Sequence, residues 1–195
     1  AEKPGQNDVP FLKDIPLISF DISNTKCGVS TASKLAELLS EETKFKAAIA
    51  RLILDGNPLT GGRYNSDFDK DITGITALCD TLKTSSVTEL GLARCRLGPS
   101  SLGKLAEYVR DADATVTSIN CLANNFGEDD LATLLTAIEG TSVRSLCGLT
   151  EGQTTADFSG LNLGPVDMKI MAAEYGFQGF IATVNLLALD STGNM

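Results

Sequence analysis

Three aspartates at alternate positions form the pattern with the most obvious possible chemistry in this chain. The pattern is Asp67-x-Asp69-x-Asp71. A calcium-binding loop of the EF-hand type begins in this way, but it also needs glycine at its sixth position and glutamate at its twelfth. Those positions hold Ile72 and Leu78. We therefore interpret the segment as a solvated acidic loop in which Asp71 or Thr73 caps the next helix, and we expect no metal site.

Other catalytic arrangements lack their essential residues. The chain has no histidine, which removes the commonest general base, the commonest zinc ligand and every Ser-His or Cys-His pair. It has no GxxxxGK[ST] phosphate loop, and no carboxylate spacing supports hydrolysis. The five cysteines are scattered, without a CxxC pair, and are interpreted as reduced, buried thiols. We expect no enzyme activity, no cofactor and no small-molecule substrate.

Composition limits the class of protein further. The 195 residues suffice for one domain with a sizeable core. The net charge of −9 argues against nucleic-acid binding, which needs a basic surface. No apolar run reaches the length of a membrane span, and the chain start has no apolar signal region, so we expect no membrane insertion. With no Asn-x-Ser/Thr acceptor either, we expect a cytoplasmic protein.

One spacing of apolar residues recurs along the chain and predicts the elements that position everything else. It occurs as Leu52-x-Leu54-x-x-Asn57-x-Leu59, Leu90-x-Leu92-x-x-Cys95-x-Leu97 and Ile119-x-Cys121-x-x-Asn124-x-Phe126. Each copy predicts a short strand, a sharp turn and a helix with an apolar stripe. We expect Leu54, Leu92 and Cys121 to stack on adjacent strands. Asn57, Cys95 and Asn124 are predicted to bond the unpaired backbone groups of the turns.

These segments resemble leucine-rich repeats, and their long units are similar to the ribonuclease-inhibitor class. The resemblance implies an α/β solenoid with a curved parallel sheet on its concave side and helices on its convex side. It also implies protein binding as the function. It covers residues 17–195 as about five to six units, after an N-terminal arm or cap at 1–16. The final motif has no helix after it, so we expect the array to be truncated at its C-terminus.

Two departures from the regular spacing are further candidates for functional loops. One is an insertion at 61–71, which includes Arg63 and Tyr64. The other follows Leu146, where Gly148 stands in place of leucine and a polar segment around Glu151 precedes the next motif. Either one unit carries a ten-residue insertion there or a short partial unit intervenes, and we favour an insertion that forms a small strand pair or a loop.

The candidate partner-binding surface is the concave face, because residues on either side of the inward strand residues point outward. The residues predicted to form this surface are Arg51, Ile53, Asp55, Glu89, Arg94, Asn120, Leu122, Cys147 and Leu149. Exposed Ile53, Leu122, Cys147 and Leu149 would form a modest apolar strip, the kind of surface that marks interaction sites. Alternatively, an insertion or the terminal helix covers this strip.

Three functions remain open from the residues alone. The first is a non-enzymatic scaffold that binds a protein partner through the concave face. The second is a structural or assembly subunit, of cytoskeletal or ciliary type, that binds through the convex helices or the open end. The third is a GTPase activator, which the missing chemistry disfavours.

Overall fold

The computed structural model describes residues 19–40, 46, 48–62, 64, 66–111, 116–174 and 186–188, the last of these as backbone only. The arm expected at 1–16 therefore lies outside the described residues, as does Arg63. The strands are β1 (Ser19–Asp21), β2 (Arg51–Ile53), β3 (Glu89–Gly91), β4 (Ser118–Asn120), β5 (Thr155–Asp157) and β6 (Leu186–Ala188). The helices are α1 (Val29–Ser40), α2 (Thr73–Leu82), α3 (Pro99–Asp111), α4 (Glu128–Ile138) and α5 (Pro165–Glu174).

The first four strands form one parallel sheet in chain order. Their middle residues, Phe20, Leu52, Leu90 and Ile119, are aligned with one another across the sheet. The sheet is parallel because a helical segment returns the chain between successive strands, and its register follows the shared apolar spacing. The protein is thus α/β, as the sequence predicts at this level.

The residues expected to stack on adjacent strands do so. Leu54, Leu92 and Cys121 directly follow the ends of β2, β3 and β4, and each is 0% exposed. Their backbone N–H groups continue the ladder, for example from Leu54 to the carbonyl of Gly91 at 2.9 Å. This part of the prediction is confirmed.

The helices pack in chain order on one another and bury apolar stripes. Helix α3 buries Leu102, Leu105 and Val109, at the three- and four-residue spacing of one helix face. Helix α1 buries Ala32, Leu35, Ala36 and Leu39 in the same way. Its approach to α2 is close: a Cβ at Gly74 would lie 2.4 Å from the carbonyl oxygen of Val29, so only glycine fits there.

The chain changes character after α4. Ser145 and Cys147 make isolated bridges to Ser118 and Asn120 of β4, and an irregular segment with a turn at 151–152 follows. Strand β5 then pairs in parallel with β6 in a separate two-stranded sheet. The first sheet therefore does not continue into the second.

Among the described residues, no helix combines the length and the apolar composition that crossing a membrane requires.

Candidate functional site

The turns at the carboxyl ends of the strands are held by buried amide side chains. Asn57 is 0% exposed, and its Nδ2 donates to the carbonyls of Ile22 and Leu54, both at 2.8 Å. Its Oδ1 accepts the N–H of Cys27 at 2.9 Å. One side chain thus joins two neighbouring turns and satisfies backbone groups that have no strand partner.

Asn124 makes equivalent contacts two turns further on. Its Oδ1 accepts the N–H groups of Cys95 and Leu97, both at 3.0 Å. Its Nδ2 donates to the carbonyls of Leu92 at 2.8 Å and of Cys121 at 3.0 Å. This is the hydrogen bonding expected for the two asparagines from their place in the sequence pattern.

Cys95 is the member of this set with the weakest side-chain donor. Its buried thiol donates to the carbonyls of Leu54 at 3.2 Å and Ala93 at 3.4 Å. Burial raises the pKa of this thiol far above neutrality. It therefore stays protonated, which keeps it a hydrogen-bond donor and makes it a poor nucleophile.

A groove of about 410 Å³ lies beside these turns. It runs along the carboxyl ends of β1, β2 and β3, and residues in and after β5 form its opposite wall. Of the residues proposed from sequence, those lining it are Arg51, Ile53, Asp55, Arg94, Asn120, Cys147 and Leu149. Glu89 and Leu122 are not among the lining residues. Most of the predicted surface is thus brought together in one concave feature.

The centre of the groove contains a carboxylate with a shifted pKa. Burial raises the pKa of Asp55 to about 6, although a hydrogen bond from the N–H of Ala93 at 2.7 Å opposes the shift. Nearby Asp21 adds to the rise and Arg51 counters it. A Cβ at Gly91 would lie 2.8 Å from the Asp55 carboxylate, so the glycine leaves space for this side chain.

Charges of both signs surround Asp55. Asp21 and Asp157 also line the groove, and the pKa of each is lowered by hydrogen bonds, from Ser23 and Ser159 respectively. Arg51 forms an ion pair with Glu89 at 3.0 Å, which offsets the positive charge of its guanidinium. Exposed Arg94 adds a cation at the rim.

The expectation of an exposed apolar strip is wrong for three of its four residues. Leu122 is 0% exposed, Cys147 3% and Leu149 6%. All three belong to the same core cluster as Ala156 and Phe158, because the chain turns after Cys147 and packs over this part of the sheet. Only Ile53 of the strip is half-buried and faces the groove. The alternative of a covered strip is therefore the correct one.

Asp21 and Asp157 line the groove but were not among the nine residues selected for the surface. Asp21 occupies the same strand position as Ile53, with which it is aligned, so the recurring spacing places both on one face. Ala156-x-Phe158-x-x-Leu161-x-Leu163 repeats that spacing and gives Asp157 the equivalent position.

The acidic loop has a structural role. The Oδ1 of Asp69 accepts the N–H of Gly98 at 2.8 Å, and its Oδ2 accepts those of Ser100 at 2.7 Å and Ser101 at 3.1 Å. Asp69 thus caps the start of α3, a helix in the next segment. Asp71 bonds the N–H and hydroxyl of Thr73, which begins α2. Within the described ranges, no group of three His, Cys, Asp or Glu side chains is arranged to hold a metal ion.

No protein-family model matches this chain, and a search of curated proteins found no match.

Proposed function

We propose that the chain is a leucine-rich-repeat solenoid of the ribonuclease-inhibitor-like class that acts as a non-enzymatic protein-binding scaffold in the cytoplasm. The solenoid architecture is supported by four aligned parallel strands, each followed by a helical segment, in chain order. It is supported also by Asn57 and Asn124, which join successive turns with equivalent hydrogen bonds. The protein uses no cofactor, nucleic acid or small-molecule substrate.

The groove beside the strand ends is the proposed binding surface. The observation that carries this proposal is that seven of the nine residues selected from sequence line one cavity of about 410 Å³. Its wall combines apolar surface from Ile53 and Phe158 with polar groups from Asn120 and Gln153. Sites that bind peptide segments combine apolar contact with a few fixed polar groups in this way.

The partner is proposed to insert an extended segment carrying a basic side chain. Three carboxylates, Asp21, Asp55 and Asp157, line the groove, whereas one of its two guanidiniums is already paired with Glu89. The net charge of −9 also favours encounter with a basic partner.

The test is a matched pair of charge reversals. A partner is first recovered on the immobilised chain and identified by mass spectrometry, and its affinity is measured by calorimetry. Asp157→Lys changes the charge of the groove, and Glu107→Lys makes the same change on the outer helix α3. Asp157 is exposed, and Glu107 is half-buried and pairs with Lys104 at 2.8 Å on the outer surface of α3, so the fold should tolerate both variants.

We expect Asp157→Lys to weaken binding at least tenfold, about 1.4 kcal/mol, and Glu107→Lys to leave it within about twofold. Loss of binding with Glu107→Lys alone would contradict the groove as the binding surface. That result would favour the assembly function through the helical face.

A further inference from the structure

Helix α5 buries charged groups where the other helices bury apolar ones. Its buried residues are Asp167, Ile170 and Glu174, spaced by three and four residues and hence on one face. Asp167 is 6% exposed and Glu174 2%. Two carboxylates therefore face the protein interior from the same side of one helix, which is unusual because burial of a charge is costly.

Asp167 links the start of α5 to the turn after β4. Its Oδ1 accepts the N–H of Ala123 at 2.7 Å, and its Oδ2 accepts the N–H of Gly164 at 2.8 Å. The Ala123 bond connects residues 44 positions apart in the chain. It therefore contributes to docking α5, and not only to capping it.

Glu174 links the end of α5 to the segment that follows α4. Its Oε1 accepts the N–H groups of Leu146 and of Cys147, the latter at 2.7 Å, and the Ser145 hydroxyl at 3.1 Å. Leu146 and Cys147 belong to the strand-like segment that bridges to β4. The carboxylate thus accepts hydrogen bonds from N–H groups that could otherwise donate to the carbonyls of a further strand.

The second oxygen of Glu174 is buried and has no hydrogen-bond partner among the described residues. Burial removes water from both oxygens of this carboxylate, and only Oε1 gains hydrogen bonds within the protein in its place. Protonation would remove that charge without removing the bonds to Oε1.

The surroundings of the two carboxylates hold little that would stabilise their charge. Burial raises the pKa of both Asp167 and Glu174, even though their hydrogen bonds oppose the shift. The titratable groups facing them are the thiols of Cys121 and Cys147, which burial keeps protonated.

The charged side chains on the packed elements are engaged elsewhere. Glu128 of α4 pairs with Lys169 of α5 at 2.6 Å, on the exposed side of both helices. Asp130 of α4 accepts the N–H of Gly127. Arg144 donates to the carbonyls of Thr141 and Val143. Within the described residues, no ion pair joins a basic side chain to Asp167 or Glu174.

We propose that α5 is a proton-controlled latch, docked most firmly when Asp167 and Glu174 carry protons and loosened when they ionise. A group that binds its proton more tightly when docked favours docking below its free pKa and loses that contribution as pH rises through its docked pKa. The window begins near the ordinary values for these groups, 3.8 and 4.5, and extends upward to their raised docked values.

Release of the latch would expose the N–H groups of Leu146 and Cys147 as an unpaired strand edge. Cys147 also lines the groove, so release would alter one wall of it. That second consequence rests on the proposed function, but the latch itself does not.

Hydrogen exchange followed by mass spectrometry tests the latch on the full chain without a partner. Protection is measured from about pH 4.5 to 8 and corrected for the intrinsic exchange rate. We expect protection of residues 143–149 and 165–174 to fall with rising pH, about tenfold in the opening equilibrium for each unit by which the docked pKa exceeds its free value. Protection of α2 and α3 should stay constant.

Two variants identify the carboxylates responsible. Glu174→Gln keeps an acceptor for Leu146 and Cys147 but cannot ionise, so it should flatten most of the pH dependence, and Asp167→Asn the remainder. Glu151→Gln removes the same charge at an exposed position and should leave the dependence unchanged. An unchanged slope in the double variant would overturn the proposal. So would a wild-type chain whose protection at α5 is independent of pH or falls equally in α3, and these two results need no variant.

Discussion

Residues 19–138 and residues 139–174 use different groups for the same structural task. In the first region, helices α2, α3 and α4 dock through leucine, isoleucine and valine side chains. In the second, α5 docks through Asp167, Ile170 and Glu174. Apolar contacts do not change with pH and need no specific partner atom. A buried carboxylate changes its charge with pH and needs hydrogen-bond donors at its oxygens. The difference indicates that the first region provides a stable framework and the second an adjustable end.

The two regions also end their strand edges differently. In the first, N–H groups of each strand segment donate hydrogen bonds to carbonyls of the next, as from Leu92 to Asn120 at 2.8 Å. At Leu146 and Cys147 the ladder meets the side chain of Glu174 instead. Because one carboxylate oxygen accepts both N–H groups, movement of this single side chain would release them together.

The largest effect should come from breaking the turn contacts of the first region. Asn124→Ala removes hydrogen bonds to five backbone groups, including those of Cys95 and Leu92. We expect the free energy of unfolding to fall by about 3 kcal/mol, because these groups lose their partner inside the protein. Urea denaturation measures the loss.

The matched control is the neighbouring residue of the same type. Asn125 is exposed, so Asn125→Ala should change stability by less than about 0.5 kcal/mol. Equal effects of the two substitutions would show that the hydrogen bonds of Asn124 do not stabilise the turns of the first region.

The register of the first region could be predicted from sequence because one short pattern repeats. Leu52, Leu90 and Ile119 head equivalent segments, and adjacent strands with the same pattern can bury their apolar residues together only when aligned. The asparagine contacts were predictable for the same reason. The three copies of the pattern could be compared with one another within one chain.

The second region could not be predicted in this way because its key groups are of types usually exposed. Nothing in the sequence distinguishes Glu174 from the exposed Glu128, and only the fold brings Glu174 against Leu146. Likewise, burial of Leu122 and Leu149 depends on packing against residues after the irregular segment at 148–154. Tertiary contacts of this range leave no local pattern.

A smaller loss is expected when the acidic loop is disconnected from the first region. Asp69→Ala removes the carboxylate that accepts three N–H groups at the start of α3. We expect a loss of about 1–2 kcal/mol, as for other helix N-caps. Asp71→Ala provides the comparison, since Asp71 is exposed and, among the described residues, its carboxylate bonds to Thr73 alone, so its effect should be smaller. If the two variants lose the same stability, Asp69 does not connect the loop to α3 in the way its contacts indicate.

The smallest effect is expected at the buried hydroxyl of Tyr108, in the first region. Tyr108 is 0% exposed, and its hydroxyl has no partner among the described residues, like Oε2 of Glu174 in the second region. Burial raises the pKa of Tyr108, so the hydroxyl stays neutral and its desolvation does not change with pH.

Tyr108→Phe keeps the packed ring and removes the unpaired group, so we expect stability to rise by up to about 1 kcal/mol, equally at pH 5 and pH 8. Tyr64→Phe, at a side chain that is 66% exposed, should leave stability unchanged. Thermal unfolding at both pH values measures the gain, and a loss of stability with Tyr108→Phe would mean that the hydroxyl has a hydrogen-bond partner in the folded protein. Tyr108→Phe would then no longer contrast a neutral, unpaired hydroxyl in the first region with the ionisable, unpaired oxygen of Glu174 in the second.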